Sequence, residues 1–259
     1  MKNNGRNHKL ELPLEYSKLS QFYDFLSEDA SSTNILIENL LKKNSTQTVL
    51  DLSCGTGCQS LWLSRAGFDV TSVDISPNLL KIAKQKAQQE KLKLTFIEGD
   101  MRFIKAGTFD AIITIFNAIG HLLKKDFVKA LKNININLKK GGIYIFDIFN
   151  FEAMTDEVIK NLSMDVKKKS DQVEVHHTQY SKLDRDRRLL VSYDQFLITD
   201  NNNLSKTLEN QFALQIYSAS ELKSMLMDAG LRILNQYDTD GSTFLENKSE
   251  RILTIAQKF

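Results

Sequence analysis

Short apolar runs alternate with amphipathic stretches over roughly the first 150 residues of the 259-residue chain. Apolar runs bounded by polar turns predict strands, and stretches with apolar residues every three or four positions predict helices. Strands that alternate with helices in this way predict an α/β domain with a mostly parallel, doubly wound sheet. The predicted strands end at Asp51 and span 69–74, 94–98, 109–116 and 142–147, and the predicted helices span 32–43, 77–89 and 125–138.

The pattern changes after the fifth strand. Apolar and polar residues alternate in stretches between Val173 and Ile216, with turn-rich interruptions at 184–187 and 200–203. Alternation of this kind is typical of strands with one buried face. The sequence therefore predicts a small antiparallel sheet inserted after strand five.

The chain returns to the main sheet after this insertion. Ser218 and Glu221 have the spacing of a capping box, which predicts a helix that ends near Gly230. The last two strands are expected at 231–237 and 251–258, as an antiparallel pair at the edge of the sheet.

The N-terminal region carries an aromatic pattern between Tyr16 and Ala30 that predicts a helix. Tyr16 and Tyr23 are candidates to close a pocket from this side, and packing of the helix is the alternative. Four segments result: a tail and cap helix at 1–30, a ligand-binding α/β core at 31–150, the antiparallel insertion at 151–216, and the end of the core at 217–259.

The junction after the first predicted strand carries the strongest signal for function. Residues 49–57 read Val-Leu-Asp-Leu-Ser-Cys-Gly-Thr-Gly, an apolar strand that ends in Asp51 and runs into a glycine loop. Gly55 and Gly57 let the backbone approach a ligand without an intervening Cβ. Asp74 ends the second strand and can accept hydrogen bonds from both hydroxyls of a ribose. Because the carboxyl ends of parallel strands meet at one edge of a sheet, these residues predict a nucleoside site there.

Two nucleoside ligands fit this pattern. A dinucleotide site requires Gly-x-Gly-x-x-Gly and an acid about twenty residues further on. The spacing to Asp74 suits both ligands, but Ser60 stands where the third glycine would be. Asp51 before the loop suits the positive ammonium and sulfonium groups of S-adenosylmethionine. An NAD-dependent oxidoreductase is the alternative.

With these motifs the chain resembles the class I S-adenosylmethionine-dependent methyltransferases, from about Val49 to the C-terminus. The segment 51–57 is similar to the family's first motif, with Ser53 in place of its first glycine. The resemblance implies a Rossmann-like, seven-stranded sheet and S-adenosylmethionine as cofactor, with Asp100 at the adenine amino group and Met101 packed on the adenine ring. The cofactor-binding residues that it implies are Asp51, Ser53, Gly55, Gly57, Asp74, Ile75, Asp100, Met101 and Phe116.

The segment 116–122, Phe-Asn-Ala-Ile-Gly-His-Leu, is similar to that of glycine N-methyltransferases and of amino-sugar N,N-dimethyltransferases. The glycine enzymes have Asn and His at the positions of Asn117 and His121, which are therefore the candidate catalytic residues. Those enzymes also carry an Arg after strand five that binds the substrate carboxylate. Phe149 stands in its place here, so turnover of glycine is not expected. The implied substrate-binding residues are Tyr16, Tyr23, Asn117, Phe149 and Tyr217.

Alternatives remain open at several of these residues. His121 is either a general base for an amine or a structural residue in the turn after strand four. Asp51 either faces the ligand or only accepts hydrogen bonds from the loop. Methyl transfer depends mainly on in-line positioning, so we expect transfer to a small molecule, at an amine in preference to an oxygen. A nucleobase acceptor is disfavoured because 117–120 lacks the Asn-Pro-Pro-aromatic pattern of those enzymes, and a non-catalytic S-adenosylmethionine-binding module is a further alternative.

Composition and charge narrow the expected partners. With 34 basic and 32 acidic residues the net charge is +2, too small to attract nucleic acid, and the run 167–169 of three lysines is expected on a solvated face. Cys54 and Cys58 lack further ligands at metal spacing and predict reduced thiols and no metal. The N-terminus is polar, and no stretch approaches the ~20 apolar residues of a membrane span. We expect a cytoplasmic monomer or homodimer that binds a small-molecule acceptor, with no nucleic-acid or membrane partner.

Overall fold

The computed structural model of the protein describes residues 20–259 apart from 28, 172 and 203. The predicted N-terminal tail and Tyr16 therefore lie outside the described residues. Eleven strands are present in the described part: β1 (Thr48–Asp51), β2 (Asp69–Asp74), β3 (Thr95–Glu98), β4 (Phe109–Thr114), β5 (Leu138–Phe149), β6 (Met164–Lys169), β7 (Val173–Asp184), β8 (Leu189–Asp200), β9 (Ser205–Gln215), β10 (Leu231–Tyr237) and β11 (Arg251–Lys258).

Seven of these strands form one sheet in the order β10-β11-β5-β4-β1-β2-β3. Strands β1 to β5 are parallel, and β11 runs antiparallel to both β5 and β10. The strand order reverses between β1 and β4, which is where ligands bind in sheets of this kind. The predicted doubly wound α/β sheet is confirmed, with both final strands at the expected residues.

Helices cover the two faces of the sheet, and two of them begin at the capping residues that the sequence predicted. Ser76 Oγ accepts a hydrogen bond from the backbone N–H of Leu79, and Ser218 and Glu221 form the predicted capping box. The described helices are α1 (Tyr23–Leu26), α2 (Ser31–Lys43), α3 (Cys58–Arg65), α4 (Pro77–Gln89), α5 (Lys124–Asn137), α6 (Asp156–Asn161) and α7 (Ala219–Asp228), with 3₁₀ turns at Ser20–Phe22, Ala118–His121 and Phe151–Ala153.

The central strands bury both of their faces, which explains their nearly continuous apolar runs. One face packs on α5, and the other packs on α2. Successive strand residues alternate between the two clusters: Leu50, Ile112 and Tyr144 lie with Phe127 and Leu131, whereas Val49, Ile113 and Ile145 lie with Ile37 and Leu41.

Strand β4 ends earlier than the sequence predicted. It stops at Thr114, although the apolar run continues to Phe116. Phe116 and Asn117 adopt left-handed backbone conformations with φ of 61° and 58°, which lie outside the range of regular β-strands. The prediction of a strand to residue 116 is wrong at its last two residues, and the turn that replaces them enters the candidate site.

The predicted helix from Tyr16 to Ala30 is shorter in its described part. After the 3₁₀ turn, α1 makes only one turn, and Ser27 is extended with ψ of 150°. Asp29 Oδ1 then accepts hydrogen bonds from the backbone N–H and the hydroxyl of Ser31, at 3.0 and 2.6 Å, where α2 begins.

The inserted sheet has the order β6-β7-β8-β9 and is antiparallel throughout, as predicted, except that β6 was not anticipated. The sequence of β6 is rich in lysine, but the burial of its side chains alternates: Lys168 is half-buried, whereas Lys167 and Lys169 are exposed. Lys168 Nζ donates to the carbonyl oxygens of Leu26 and Ser27, both at 3.1 Å. The lysine run is therefore only partly a solvated face.

None of the helices in the described residues has the length and apolar character needed to cross a membrane.

Candidate active site

A cavity of about 1030 Å³ opens at the carboxyl ends of β1 to β4, the edge at which the sequence predicted a nucleoside site. Residues of the segments 23–27 and 29–34 contribute to its wall on one side, and the turn after β4 contributes on the other. Nine of the predicted site residues line it: Tyr23, Ser53, Gly55, Asp74, Ile75, Asp100, Met101, Phe116 and His121. Asp51, Gly57, Asn117, Phe149 and Tyr217 lie outside its lining.

The two glycines of the loop have different surroundings, although both have positive φ. A Cβ on Gly55 (φ +54°) would meet nothing within 4 Å, because the space beside it is the cavity. A Cβ on Gly57 (φ +91°) would lie 3.2 Å from Ala83 Cβ and 3.3 Å from the side chain of Leu61. Gly55 therefore leaves room for a ligand, whereas Gly57 lets α3 and α4 pack closely.

Asp74 holds the loop and still has capacity for a ligand. Its Oδ2 accepts from the N–H of Gly55 and its Oδ1 from the N–H of Ser76, both at 2.8 Å. A carboxylate has about four acceptor positions, so roughly two remain for the hydroxyls of a ribose. Burial raises the pKa of Asp74, and backbone hydrogen bonds from Ser76, Gly55 and Ile75 oppose that rise.

Asp51 lies beneath the loop and is 3% exposed. Its Oδ2 accepts from the hydroxyl of Ser60 at 2.7 Å, and Ser60 Oγ accepts in turn from Ser72 Oγ at 2.8 Å. Burial raises the pKa of Asp51 to about 7, although the hydrogen bonds from Ser60 and Ser53 lower it. Ser60, which occupies the third-glycine position of a dinucleotide motif, is thus a buried hydrogen-bond donor to the strand-end acid.

Asp100 is engaged by a neighbour that the sequence did not assign to this position. The guanidinium of Arg102 donates to both of its carboxylate oxygens at 2.6 to 3.0 Å. Burial raises the pKa of Asp100, but the hydrogen bonds from Arg102 outweigh this effect, so that its pKa is lowered. Arg102 also lies 3.5 Å from Asp126, and all three residues line the cavity.

The turn after β4 is held by Asn117, which is 5% exposed. Its side-chain oxygen accepts from the N–H of Phe149 at 3.0 Å, and its own N–H donates to Asp147 Oδ2 at 3.1 Å. A Cβ on Gly120 would lie only 2.5 Å from the Asn117 amide nitrogen, so a glycine is required there. These contacts support the turn that places Phe116, 42% exposed, in the cavity wall.

His121 ends this turn, lines the cavity and lies beside Phe212 of β9, with ring centroids 6.3 Å apart. Burial lowers the pKa of His121 to about 4. The imidazole is therefore neutral at neutral pH and is a weak proton acceptor. Its catalytic role stays a prediction.

The N-terminal segment is attached to the core at the cavity. Thr56 Oγ1 donates to Asp24 Oδ1, and Lys86 pairs with Asp24, both at 2.6 Å. Burial raises the pKa of the Tyr23 hydroxyl, with smaller contributions from the charges of Asp74 and Asp24.

Phe149 and Tyr217 pack away from the cavity. Tyr217 is 1% exposed and contacts Phe127 at 5.5 Å between ring centroids, and burial raises the pKa of its hydroxyl. Phe149 lies opposite Arg251 in the register of β5 and β11, and the guanidinium carbon is 5.5 Å from its ring centroid. Arg251 lines the cavity and was missed in the sequence, because only the pairing of β11 with β5 brings it there.

The described residues contain no group of three or more His, Cys, Asp or Glu side chains that could hold a metal ion. Cys54 is buried and Cys58 exposed, and both are free thiols.

The part of the chain that forms this cavity matches a known protein family. Residues 49–142, which include the glycine loop, Asp74, Asp100 and His121, match the family described as methyltransferase domain. This stretch of the chain carries a methyltransferase domain. Over 121 residues the chain is 39% identical to a glycine/sarcosine N-methyltransferase of Parasynechococcus marenigrum (strain WH8102), an alignment that covers 45% of this chain and 43% of that enzyme. The chain thus spans less than half the length of this relative.

Solved structures show the methyltransferase fold over nearly the whole chain. An S-adenosylmethionine-dependent methyltransferase from Clostridium acetobutylicum ATCC 824 is 23% identical, with a TM-score of 0.78 over 94% of this chain and 98% of that one. The sugar N-methyltransferase KedS8 from Streptoalloteichus sp. is 16% identical, with a TM-score of 0.78 over 100% of this chain and 98% of that one. These likenesses extend the methyltransferase fold to the inserted sheet.

The residues of the cavity fit S-adenosylmethionine. Asp74 retains acceptor positions, and the Cβ-free side of Gly55 is open. Ile75 and Phe116, 43% and 42% exposed, offer apolar surface for the base and the methylene groups of the cofactor. Ser53 Oγ is buried and has no hydrogen-bond partner within the described residues, although Ser53 lines the cavity. A ligand in the cavity can supply that partner.

Proposed function

We propose that this methyltransferase domain acts on an amine nitrogen of a small molecule. The observation that carries the proposal is a single cavity in which Gly55 and Asp74, on the cofactor side, are continuous with Phe116 and His121 on the acceptor side. The cavity is large enough for a nucleoside and a second small ligand, since drug-sized ligands occupy sites of roughly 300–1,000 Å³.

When bound, S-adenosylmethionine would supply a methyl group on a sulfonium: the lone pair of an amine would attack the methyl carbon in line, the carbon–sulfur bond would break, and S-adenosylhomocysteine would leave. Asp74 binds the ribose, and the loop at Gly55 fixes the position of the cofactor chain. Phe116 excludes water from the acceptor side. Most of the rate enhancement then comes from holding two reactants in line, which requires little acid–base chemistry.

His121 acts in this proposal as a hydrogen-bond acceptor for an N–H of the amine. A neutral imidazole with a pKa near 4 cannot hold the proton of an ammonium ion, but one ring nitrogen can accept a hydrogen bond. Such a contact orients the nitrogen lone pair towards the methyl group. The amine must therefore arrive neutral, and its proton leaves to solvent.

The names of two similar proteins support a nitrogen acceptor over an oxygen acceptor. The glycine/sarcosine N-methyltransferase and the sugar N-methyltransferase both act, by their names, on nitrogen. Phe149 stands in place of the arginine that grips a carboxylate in the glycine enzymes. The arginines of the cavity wall are already paired with acids: Arg65 with Glu90, Arg102 with Asp100 and Arg251 with Asp147. Glycine and sarcosine are therefore not among the proposed acceptors. An Arg–carboxylate fork is directional and strong, and a phenyl ring cannot replace it.

Release of S-adenosylhomocysteine from S-adenosylmethionine tests the proposal. The acceptors are glycine, sarcosine, a set of neutral and cationic amines, and matched alcohols and phenols. We expect saturable turnover with amines and none with glycine or sarcosine. Turnover restricted to alcohols or phenols would contradict the amine assignment, and efficient glycine methylation would contradict the role given to Phe149. A thermal-shift comparison of S-adenosylhomocysteine with NAD and NADP tests the oxidoreductase alternative, and we expect stabilisation by S-adenosylhomocysteine alone.

A further inference from the structure

A second, small cavity adjoins the main one near the carboxyl end of β5. Its volume is about 10 Å³, which is about the space that one water-sized group requires. Asp147, Leu36 and Leu253 belong to its wall alone. The residues that it shares with the main cavity are Thr33, Ile115, Phe116, Thr239 and Arg251.

An ion pair forms the polar part of this small cavity. The guanidinium of Arg251, at the start of β11, donates to Asp147 Oδ2 on β5. The same oxygen accepts from the backbone N–H of Asn117 at 3.1 Å. The side chain of Asp147 is 1% exposed and that of Arg251 is 25% exposed, so the pair has a buried end and an end that reaches the main cavity.

Each partner keeps one polar atom without a hydrogen bond. Asp147 Oδ1 and Arg251 Nε are both buried, and neither has a partner among the described residues. Buried polar atoms in proteins are nearly always paired. The ion pair thus has one unpaired acceptor, Asp147 Oδ1, and one unpaired donor, Arg251 Nε. A group that both donates and accepts hydrogen bonds is complementary to these two atoms, and a hydroxyl is the smallest organic group that does so.

We propose that Asp147 and Arg251 form a subsite that binds a hydroxyl group of the methyl acceptor. The hydroxyl donates to Asp147 Oδ1 and accepts from Arg251 Nε. A carboxylate in the same place would face Asp147, and an ammonium would face Arg251, so that each is repelled by one member of the pair. The subsite thus selects a hydroxylated amine over an amino acid. It rests on the proposed function, because it concerns the same acceptor.

The test uses binding, so that it does not depend on turnover. The probes are trans-2-aminocyclohexanol and cyclohexylamine, which differ by one hydroxyl, titrated calorimetrically into protein saturated with S-adenosylhomocysteine. Each affinity is expressed per neutral amine, because the hydroxyl also makes the amine less basic. We expect the hydroxylated amine to bind at least about tenfold more tightly, as a pair of hydrogen bonds to charged groups allows. Arg251→Lys keeps the positive charge but removes Nε, and it should bring the two affinities within about twofold of each other.

Arg188→Lys is the matched control. Arg188 also pairs with an acid, Glu221, and lies over an aromatic ring, that of Phe151, at 4.4 Å, but it lines neither cavity. The preference for the hydroxylated amine should persist in this variant. If Arg251→Lys does not fold, as judged by thermal unfolding, Asp147→Asn places a donor in the subsite and should abolish the same preference.

Equal affinities for the two probes in the wild-type protein, or no measurable binding of either, would overturn the subsite. Persistence of the preference in Arg251→Lys would overturn it as well. Incubation of the same probes with S-adenosylmethionine separates the two proposals. Preferential binding without methyl transfer would leave the subsite standing and count against the amine methyltransferase function.

Discussion

The hydroxyl of Thr56 donates a 2.6 Å hydrogen bond to the carboxylate of Asp24, which attaches the glycine loop to helix α1. Thr56 is 2% exposed, so the bond lies at the buried edge of the cavity. Asp24 also pairs with Lys86 of α4. Helix α1 is therefore held by the glycine loop, on which the proposed cofactor site depends.

The first prediction concerns this attachment. Thr56→Val keeps the shape of the side chain but removes the donor, which should weaken S-adenosylhomocysteine binding about three- to tenfold, because one net hydrogen bond contributes about 0.5–1.5 kcal/mol. Isothermal calorimetry measures the change. Thr199→Val is the control, since Thr199 bonds Ser205 at an exposed position of the insertion. Equal affinity in Thr56→Val and the wild type would show that α1 does not support the loop.

Asp74 should dominate cofactor affinity. Asp74→Asn removes a charge-assisted pair of hydrogen bonds to the ribose, each contributing about 1.5–3 kcal/mol, and should reduce S-adenosylhomocysteine affinity at least about tenfold. Asp69 begins the same strand at its exposed end, so Asp69→Asn should leave the affinity unchanged in the same titration. If Asp74→Asn binds as the wild type does, the ribose lies elsewhere.

The two loop glycines should respond differently to alanine. Gly57→Ala combines positive φ with a crowded Cβ and should destabilise folding by about 1–3 kcal/mol. Gly55→Ala should lower stability less, because its Cβ faces open space, but should weaken S-adenosylhomocysteine binding more than about tenfold by occupying the ligand's volume. Thermal unfolding and calorimetry on both variants separate the two effects. Wild-type affinity in Gly55→Ala would place the cofactor away from the loop.

Asp51 should make stability depend on pH. Its pKa in the folded protein is about 7, above that of an unfolded aspartate at about 3.9. The folded state therefore binds more protons between these values, and the contribution of Asp51 to stability is lost as pH rises towards and through 7. Asp51→Asn should match or fall below the wild type near pH 4 and exceed it near pH 8, by up to about 4 kcal/mol.

His121 changes stability in the opposite direction, because its lowered pKa reduces stability as pH falls from about 6.5 towards 4. Denaturant unfolding of the wild type and Asp51→Asn across pH 4–8 isolates the Asp51 contribution, since His121 is common to both. A constant difference between the two proteins over this range would contradict the raised pKa.

The sequence located the glycine loop and the strand ends at the cavity, but it did not locate the residues that distant parts of the chain bring there. Asp51, Gly55 and Asp74 belong to a short segment in which loop and strand ends follow directly from the local pattern. Asp147 and Arg251, by contrast, are 104 positions apart, and Lys168 lies 142 positions from the carbonyl it contacts. Nothing local to these residues indicates their partners. Such contacts depend on how β11 pairs with β5 and how the insertion folds over the core.

The early end of β4 illustrates a different limit of prediction from local sequence. Phe116 is apolar and β-branched neighbours precede it, so its local preference is for a strand. Tertiary contacts override that preference, because Asn117 bonds to β5 at both its backbone and its side chain. The left-handed turn exists only once the neighbouring strand is in place.

That turn stores strain beside the candidate site. Phe116 is a bulky residue with positive φ, a conformation that only glycine adopts without strain and that costs an L-residue about 1–2 kcal/mol. Phe116→Gly would relieve the backbone, but glycine costs about 0.5–1 kcal/mol through the greater freedom of the unfolded chain, and the exchange gives up the buried part of the ring. It would also remove the ring from the cavity wall and admit water to the proposed acceptor side. An engineer who sought a higher melting temperature would therefore gain little at this position and would open the site to solvent.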